Sequence, residues 1–217
     1  MEAIMPNNHT LVFCNFVGGV GKSSLATSYA MERDLMIITN DSLEQYQNID
    51  TVDVVALPHK KKRIDKALLH TDNIVYDYGS TQGSIDFKLI DAVKNSDGLV
   101  IPTLTTLASI RRTIAFIKAI KPYKDNIVVV INMVPGTKAK RKQFEKAKTL
   151  LSDIVLGSHI LMMKQTTLYS RIEEDGSEWY KSIKNDKGEY QLNKAYNFQN
   201  ELFHKIDELI IAGNRMY

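Results

Sequence analysis

The chain of 217 residues contains one cysteine, Cys14, and one tryptophan. A single cysteine cannot form an internal disulfide bond, and without a C-x-x-C pair a cysteine-held iron–sulfur or metal site loses support. The five histidines are scattered and show no metal-ligand spacing: His9, His59, His70, His159 and His204. These scarcities argue against a disulfide scaffold and a histidine or cysteine metal centre, and they fit a reducing compartment.

The sequence also lacks an apolar run long enough to span a bilayer, and the short polar segment Met1–His9 does not resemble a signal peptide. It has no internal repeat, low-complexity tract, or linker rich in glycine or proline. We therefore expect one domain over residues 1–217, located in the cytoplasm. The net charge of +3 and the pI of about 8.8 permit contact with nucleic acid without requiring it.

Apolar, β-branched runs alternate with helical patterns, which predicts βαβ units and a parallel sheet. The predicted strands are Thr10–Asn15, Leu35–Thr39, Val52–Ala56, Asn73–Asp77, Gly98–Pro102, Asn126–Asn132 and Ser158–Met162. The predicted helices are Lys22–Arg33, Lys61–His70, Ser84–Asn95, Leu107–Ile120, Lys138–Ser152, Thr166–Glu174 and Lys194–Ala212. The polar stretch Asp175–Asn193 is predicted as a surface excursion or small hairpin. The expected fold is a doubly wound, mostly parallel α/β sheet with helices on both faces.

A glycine-rich segment, N-F-V-G-G-V-G-K-S-S, follows the first predicted strand and leads into the first helix. Glycines let backbone N–H groups turn around phosphate oxygens, and the helix that starts at Lys22 adds the positive end of its dipole. In such a loop Lys22 can reach the β- and γ-phosphates, and the Ser23 hydroxyl can ligate Mg²⁺. The predicted cradle for a nucleoside triphosphate comprises Gly18, Gly19, Val20, Gly21, Lys22, Ser23 and Ser24. A glycine turn without a ligand is the alternative.

The strict phosphate-loop pattern G-x-x-x-x-G-K-[ST] fails here, because Phe16 stands at the first glycine position. The segment from Gly18 to Ser23 instead resembles the deviant Walker A loop, K-G-G-x-G-K-[ST], of the ParA/MinD family of partition and positioning ATPases. The family's first lysine, which reaches across a nucleotide-sandwich dimer to the partner's ATP, is Val17 in this chain. The resemblance implies a P-loop NTPase fold with ATP and Mg²⁺ as cofactors.

Two acidic residues are predicted at the carboxyl ends of strands, where ligands bind in open α/β sheets. The apolar run Asn73–Asp77 ends in Asp77, which could hold the Mg²⁺ shell directly or through water. Gly79 follows, placed to turn its N–H toward a γ-phosphate. The end of the second strand resembles the family's D-x-D, whose second aspartate positions the attacking water, and the resemblance assigns that catalytic role to Asp41. A turn or capping role is the alternative for both aspartates.

Asn132, at the end of the sixth predicted strand, is a candidate for contact with the adenine edge, and a strand-terminating asparagine is an equal alternative. Basic residues cluster along the chain and could neutralise DNA phosphates without reading the base sequence. Any single cluster is more simply a solvated surface. The clusters are Lys60–Arg63, Arg111 and Arg112, and a third group of Lys138, Lys140, Arg141, Lys142, Lys146 and Lys148.

The resemblance implies an ATPase that segregates a plasmid or similar element and associates with the nucleoid. It implies a homodimer on ATP binding, non-specific DNA binding, and a ParB-like centromere-binding adaptor that stimulates slow hydrolysis. Because Val17 and Thr39 replace two family residues, the alternative is a nucleotide-gated binding module with little or no hydrolysis. A biosynthetic ligase on the same scaffold would need a substrate pocket that the sequence does not indicate.

Another cation, such as Arg111, Arg112 or Lys164, could complete the site in place of the lysine missing at Val17. The last predicted helix carries apolar residues at helical spacing, which favours packing in the core: Phe198, Leu202, Ile206, Leu209 and Ile210. Anionic lipid would repel its acidic residues Glu201, Asp207 and Glu208, so attachment to a membrane is not expected.

Overall fold

A computed structural model describes residues 9–79, 83–165, 182–184, 190–192 and 194–215. Seven strands form one parallel sheet in the order β3-β2-β4-β1-β5-β6-β7. Because β1 lies between β4 and β5, the strand order reverses at the strand that leads into the glycine-rich loop. The strands are β1 (Thr10–Phe13), β2 (Met36–Thr39), β3 (Val54–Ala56), β4 (Ile74–Asp77), β5 (Gly98–Thr103), β6 (Ile127–Val134) and β7 (Ile160–Lys164).

Helices cover both faces of this sheet, as the sequence predicts. They are α1 (Lys22–Arg33), α2 (Lys66–Leu69), α3 (Phe87–Lys94), α4 (Leu107–Ile120), α5 (Lys138–Leu151) and α6 (Lys194–Asn214). Successive strand residues point to opposite faces: in β1, Leu11 and Phe13 pack with α1 and α6, whereas Val12 packs with α3, α4 and α5. The apolar strands are buried on both faces, as central strands of a doubly wound fold must be.

The predicted elements correspond closely to the observed ones. Helices α1 and α4 have the predicted bounds, and each of the seven predicted strands has a counterpart that begins and ends within two residues of the predicted positions. Within the predicted excursion Asp175–Asn193, two short strands, β8 (Ser182–Lys184) and β9 (Tyr190–Leu192), pair antiparallel, which confirms a hairpin. The predicted helix Thr166–Glu174 lies outside the described residues.

The predicted helix Lys61–His70 is largely wrong, since only the single turn α2 forms. The backbone N–H of Ile64 donates to Asp91 Oδ2 at 3.2 Å, and the Arg63 guanidinium pairs with the other oxygen of the same carboxylate. A side chain on α3 therefore satisfies a backbone donor that a longer helix would have used internally. Predicted helix Ser84–Asn95 also begins later, at Phe87, because the Asp86 side chain caps it by accepting from Leu89 N at 2.8 Å.

The last helix, α6, packs against the core through Leu202, Ile206 and Ile210, as predicted. A buried polar network reinforces this contact. The Asp207 carboxylate on α6 accepts from the Tyr29 hydroxyl and from the Arg33 guanidinium of α1, whose Nη2 lies 2.9 Å away. Tyr29 in turn meets His9 Nε2 at 2.6 Å. Among the described helices, none combines the length and apolar character needed to cross a bilayer.

Candidate nucleotide-binding site

The glycine-rich loop leaves β1 in the middle of the sheet and enters α1, whose first intrahelical bond runs from Leu25 N to Gly21 O at 3.0 Å. Gly19 and Gly21 have φ angles of 69° and 81°, in the left-handed region that favours glycine. A Cβ at Gly21 would overlap Asn132 Nδ2, whereas Gly18 and Gly19 face open space. The loop is therefore open at Gly18 and Gly19 and closely packed against Asn132 at Gly21, as a phosphate cradle requires.

Two buried asparagines fix the loop at its ends. Asn15 donates from Nδ2 to Pro102 O at 2.7 Å and to Thr113 Oγ1 at 2.9 Å, which ties the start of the loop to β5 and α4. Asn132, at the end of β6, donates from Nδ2 to Val20 O at 2.9 Å. Asn132 thus lies beneath the loop as a support, with its Oδ1 accepting from the next backbone N–H. Its contact with adenine stays a prediction.

Lys22 is buried, and its Nζ donates to Val17 O at 2.9 Å across the loop. Burial lowers the pKa of Lys22, and the nearby carboxylates of Asp77 and Asp41 act in the opposite direction. The ammonium group is therefore poorly solvated and has one backbone acceptor. Phosphate oxygens would be better acceptors for it, because charge-assisted hydrogen bonds are stronger than bonds to a neutral carbonyl.

Asp77 ends β4, directly opposite Phe13 of β1 in the sheet register, and it is completely buried. Its Oδ2 accepts from the Tyr46 hydroxyl, while its Oδ1 is buried and has no hydrogen-bond partner among the residues that the structure describes. Burial raises the pKa of Asp77, and the nearby Tyr46 and Ser23 hydroxyls and the Lys22 ammonium partly offset this. An unsatisfied carboxylate oxygen beside a serine hydroxyl suits a hard cation such as Mg²⁺, which prefers oxygen ligands.

Asn40 and Asp41 follow β2 and lie over Gly79, two residues beyond Asp77. The Gly79 N–H donates to Asn40 Oδ1 at 2.6 Å, and a Cβ on Gly79 would lie 2.7 Å from Asp41 Oδ2. A larger residue at this position would require the exposed Asp41 side chain to shift. Since Asp41 also influences the pKa of Lys22, the structure brings the predicted site residues Lys22, Ser23, Asp41 and Asp77 to one edge of the sheet.

The basic clusters differ in whether their side chains form ion pairs and how exposed they are. In the first, Lys61 pairs with Asp65 and Arg63 with Asp91. Lys164 lies over the Phe198 ring, with Nζ 4.2 Å from the centroid. The side chains of Arg111 and Arg112 on α4 are exposed, and α5 exposes Arg141, Lys142 and Lys146. Among the residues whose exposure is described, α5 therefore presents four exposed basic side chains, since Lys138 is exposed as well.

Tyr46 and Asn40 are site residues that sequence analysis did not identify. Tyr46 ends a short 3-10 turn, Leu43–Tyr46, within a polar stretch, and it contacts Asp77 across 31 positions of the chain. Asn40 reaches Gly79 across 39 positions. The only available signal was a lone tyrosine in a polar segment, which is too weak to assign a role.

A parallel sheet with a glycine loop, a lysine and serine at a helix start, and an aspartate on the adjacent strand defines the P-loop class of nucleotide-binding folds. Solved structures of ParA/MinD-family ATPases share this fold. A candidate plasmid partition protein of Borrelia burgdorferi bound to AMPPNP superposes with TM-score 0.59 and 16% identity, covering 95% of this chain and 99% of that one.

Two further structures have the same fold. The ParA family ATPase of Chlorobium tepidum has a TM-score of 0.58 and 15% identity over 94% of this chain and 98% of its own. The MinD cell division protein of Aquifex aeolicus has a TM-score of 0.58 and 16% identity over 90% and 97%. Comparison of the sequence with protein-family profiles and with curated proteins finds no match.

Proposed function

We propose that this protein is a ParA-type ATPase that binds Mg²⁺-ATP and acts in the segregation of a plasmid or similar DNA element. The observation that carries the proposal is the unsatisfied Oδ1 of Asp77, which lies near Ser23 beside a glycine loop held in place by two asparagines. Burying an unpartnered carboxylate oxygen costs stability. A bound cation between this oxygen and a nucleotide would remove that cost, so the site is better suited to the loaded state than to the empty one.

In this proposal, backbone N–H groups from Gly18 to Ser24 surround the phosphate tail, and Lys22 exchanges the Val17 carbonyl for β- and γ-phosphate oxygens. Ser23 and Asp77 hold the Mg²⁺, which when bound neutralises charge on the phosphates. Asp41, exposed at the mouth of the site, orients a water molecule toward the γ-phosphate. Because the transition state of phosphoryl transfer is loose, orienting that water matters more than removing its proton.

The proposal also includes three partners: a second copy of the chain, DNA and an adaptor protein. Homodimerisation on ATP binding would double the basic surface of α5, and the number of phosphate contacts sets the salt dependence of DNA binding. Nucleotide state would thereby control non-specific DNA affinity. A ParB-like centromere-binding adaptor would stimulate hydrolysis. The adenine contact of Asn132 belongs to the same proposal and would require the base to approach β6.

A nucleotide-gated binding module is the second candidate. It is favoured by Val17, which is buried at the position of the family's first lysine, where only its carbonyl contacts the Lys22 ammonium. Hydrolysis could then be negligible although binding is intact. Measuring phosphate release with and without duplex DNA separates the candidates: turnover in either condition supports the ATPase, and its complete absence despite tight binding supports the module.

Equilibrium binding of a fluorescent ATP analogue, with and without Mg²⁺, tests the proposal itself. Lys22→Ala should weaken Mg²⁺-dependent affinity by about 10- to 100-fold, the loss expected for hydrogen bonds to a charged group. Lys118→Ala is the matched control, since Lys118 is exposed near the far end of α4. If the wild-type protein bound adenine nucleotides no better with Mg²⁺ than without it, the proposed function would be refuted.

A further inference from the structure

Two side chains of one short segment, residues 40–46, contact the last residue of β4 and the glycine two positions beyond it. Asn40 Oδ1 accepts the Gly79 N–H at 2.6 Å, and the buried Tyr46 donates its hydroxyl to Asp77 Oδ2. The first contact occupies a backbone donor, and the second fixes a carboxylate. The segment thus contacts both groups that the end of β4 presents at the edge of the candidate site.

The position of Gly79 gives its contact with Asn40 a consequence for nucleotide binding. Because β4 pairs with β1, with Asp77 opposite Phe13, Gly79 and the glycine loop emerge from neighbouring strands at the same edge. The side chain of Asp41 lies over Gly79 and is also close enough to influence Lys22. A group bound beyond the Lys22 ammonium would therefore meet the Gly79 N–H. In a nucleotide held by this loop, that group is the third phosphate.

We propose that Asn40 determines how strongly the protein distinguishes ATP from ADP. Its amide oxygen already holds the Gly79 N–H, so a γ-phosphate gains that donor only by displacing Asn40. A diphosphate is too short to reach Gly79 and leaves the Asn40 contact intact. Binding ATP therefore includes the exchange of one neutral hydrogen bond for a charge-assisted one, and binding ADP does not. This inference rests on the proposed binding of ATP by the loop.

Tyr46 keeps its own hydrogen bond while the one between Asn40 and Gly79 is replaced. It is buried, and its hydroxyl stays on Asp77 Oδ2, the oxygen opposite the unpartnered Oδ1. The segment is consequently fixed at Tyr46, and only the Asn40 side chain at its other end has to move. Since Asn40 is only half-buried, its side chain has room to leave Gly79 without disturbing the core.

The test compares dissociation constants for Mg²⁺-ADP and Mg²⁺-AMPPNP in three variants. Asn40→Ala removes the competitor for Gly79, so the preference for AMPPNP over ADP should rise about 3- to 10-fold, the equivalent of one net hydrogen bond. Asn40→Asp should lower that preference, because a carboxylate accepts more strongly and repels the γ-phosphate. Gln45→Ala, an exposed change in the same segment, should leave the ratio unchanged.

Amide hydrogen exchange at Gly79 provides a readout independent of affinity. In the wild type it should be protected both in the empty and in the AMPPNP state, whereas in Asn40→Ala it should be protected only with AMPPNP. If wild-type protein binds no adenine nucleotide, the proposed function fails. If it binds both nucleotides but the AMPPNP to ADP ratio of the two Asn40 variants stays within about twofold of wild type, the role of Asn40 is refuted and the proposed function stands.

Discussion

The three loop glycines offer a graded test, because a methyl group would meet different surroundings at each. Gly18 has no left-handed φ, and a Cβ placed on it would have nothing within 4 Å, whereas Gly19 has a φ of 69° but open space. Gly21 combines a φ of 81° with an overlap on Asn132 Nδ2. Alanine substitution should therefore reveal backbone strain and steric clash separately.

The expected changes in the free energy of unfolding follow from these surroundings. Gly18→Ala should be neutral or stabilising by up to about 1 kcal/mol, because alanine restricts the unfolded chain. Gly19→Ala should cost about 1–2 kcal/mol for a left-handed alanine. Gly21→Ala should cost roughly 2–5 kcal/mol, since the displaced Asn132 also leaves Val20 O without its buried donor.

Urea unfolding of the nucleotide-free protein measures these differences. Combining Gly21→Ala with Asn132→Ala removes the overlapping atoms, so the double variant should lose less stability than the sum of the single losses. Equal losses at all three glycines would refute the reasoning. So would a Gly21→Ala variant no less stable than Gly19→Ala, because the contact between the loop and Asn132 would then be unimportant.

Two predictions concern the network between α1 and α6. Burial lowers the pKa of His9, although the Asp207 carboxylate acts in the opposite direction. As the pH falls, the unfolded chain therefore takes up a proton at this residue before the folded protein does. Stability should fall as the pH drops below the ordinary histidine pKa of about 6.5, with a slope of at most ~1.4 kcal/mol per pH unit. Thermal unfolding from pH 8 to 5 should show this dependence in wild type and in the exposed control His59→Gln. It should be weaker in His9→Gln, where only the partly buried His159 still has a pKa lowered by burial, and identical profiles for all three would contradict it. Asp207→Ala should cost about 3–5 kcal/mol by leaving the buried Arg33 unpaired, whereas loss of the exposed neighbour Glu208 should change the unfolding midpoint little; equal midpoints would contradict the buried pair.

The conformation of the glycine-rich loop could be predicted because its determinants are contiguous in the chain. Strand, glycines, Lys22 and helix occur within a few residues of each other, and the backbone conformation follows from the residue types. The place of Asp77 at the end of a strand could be predicted because an apolar run that ends in a carboxylate has few uses in a parallel sheet. The alternation of strands and helices likewise sufficed for the doubly wound class.

Contacts between distant segments explain what sequence analysis missed. Asn40 and Tyr46 have ordinary surroundings in the sequence, and each acquires its position only when β2 and β4 reach the same edge of the sheet. Sequence analysis identifies Asn132 as a candidate, but its hydrogen bond to Val20 O forms only because β6 reaches that edge too. The overlong helix prediction Lys61–His70 fails for the same reason, since Asp91 on α3 captures the backbone of Ile64. Helical periodicity cannot anticipate an acceptor 27 residues away.

Cys14, between β1 and the glycine-rich loop, is buried, and burial raises the pKa of its thiol. Thiol reagents attack the ionised form, so the native protein should be nearly inert toward them. A cysteine introduced on the surface could then carry a fluorophore without background labelling of Cys14. In unmodified protein, the rate of alkylation would report how often the centre of the sheet opens.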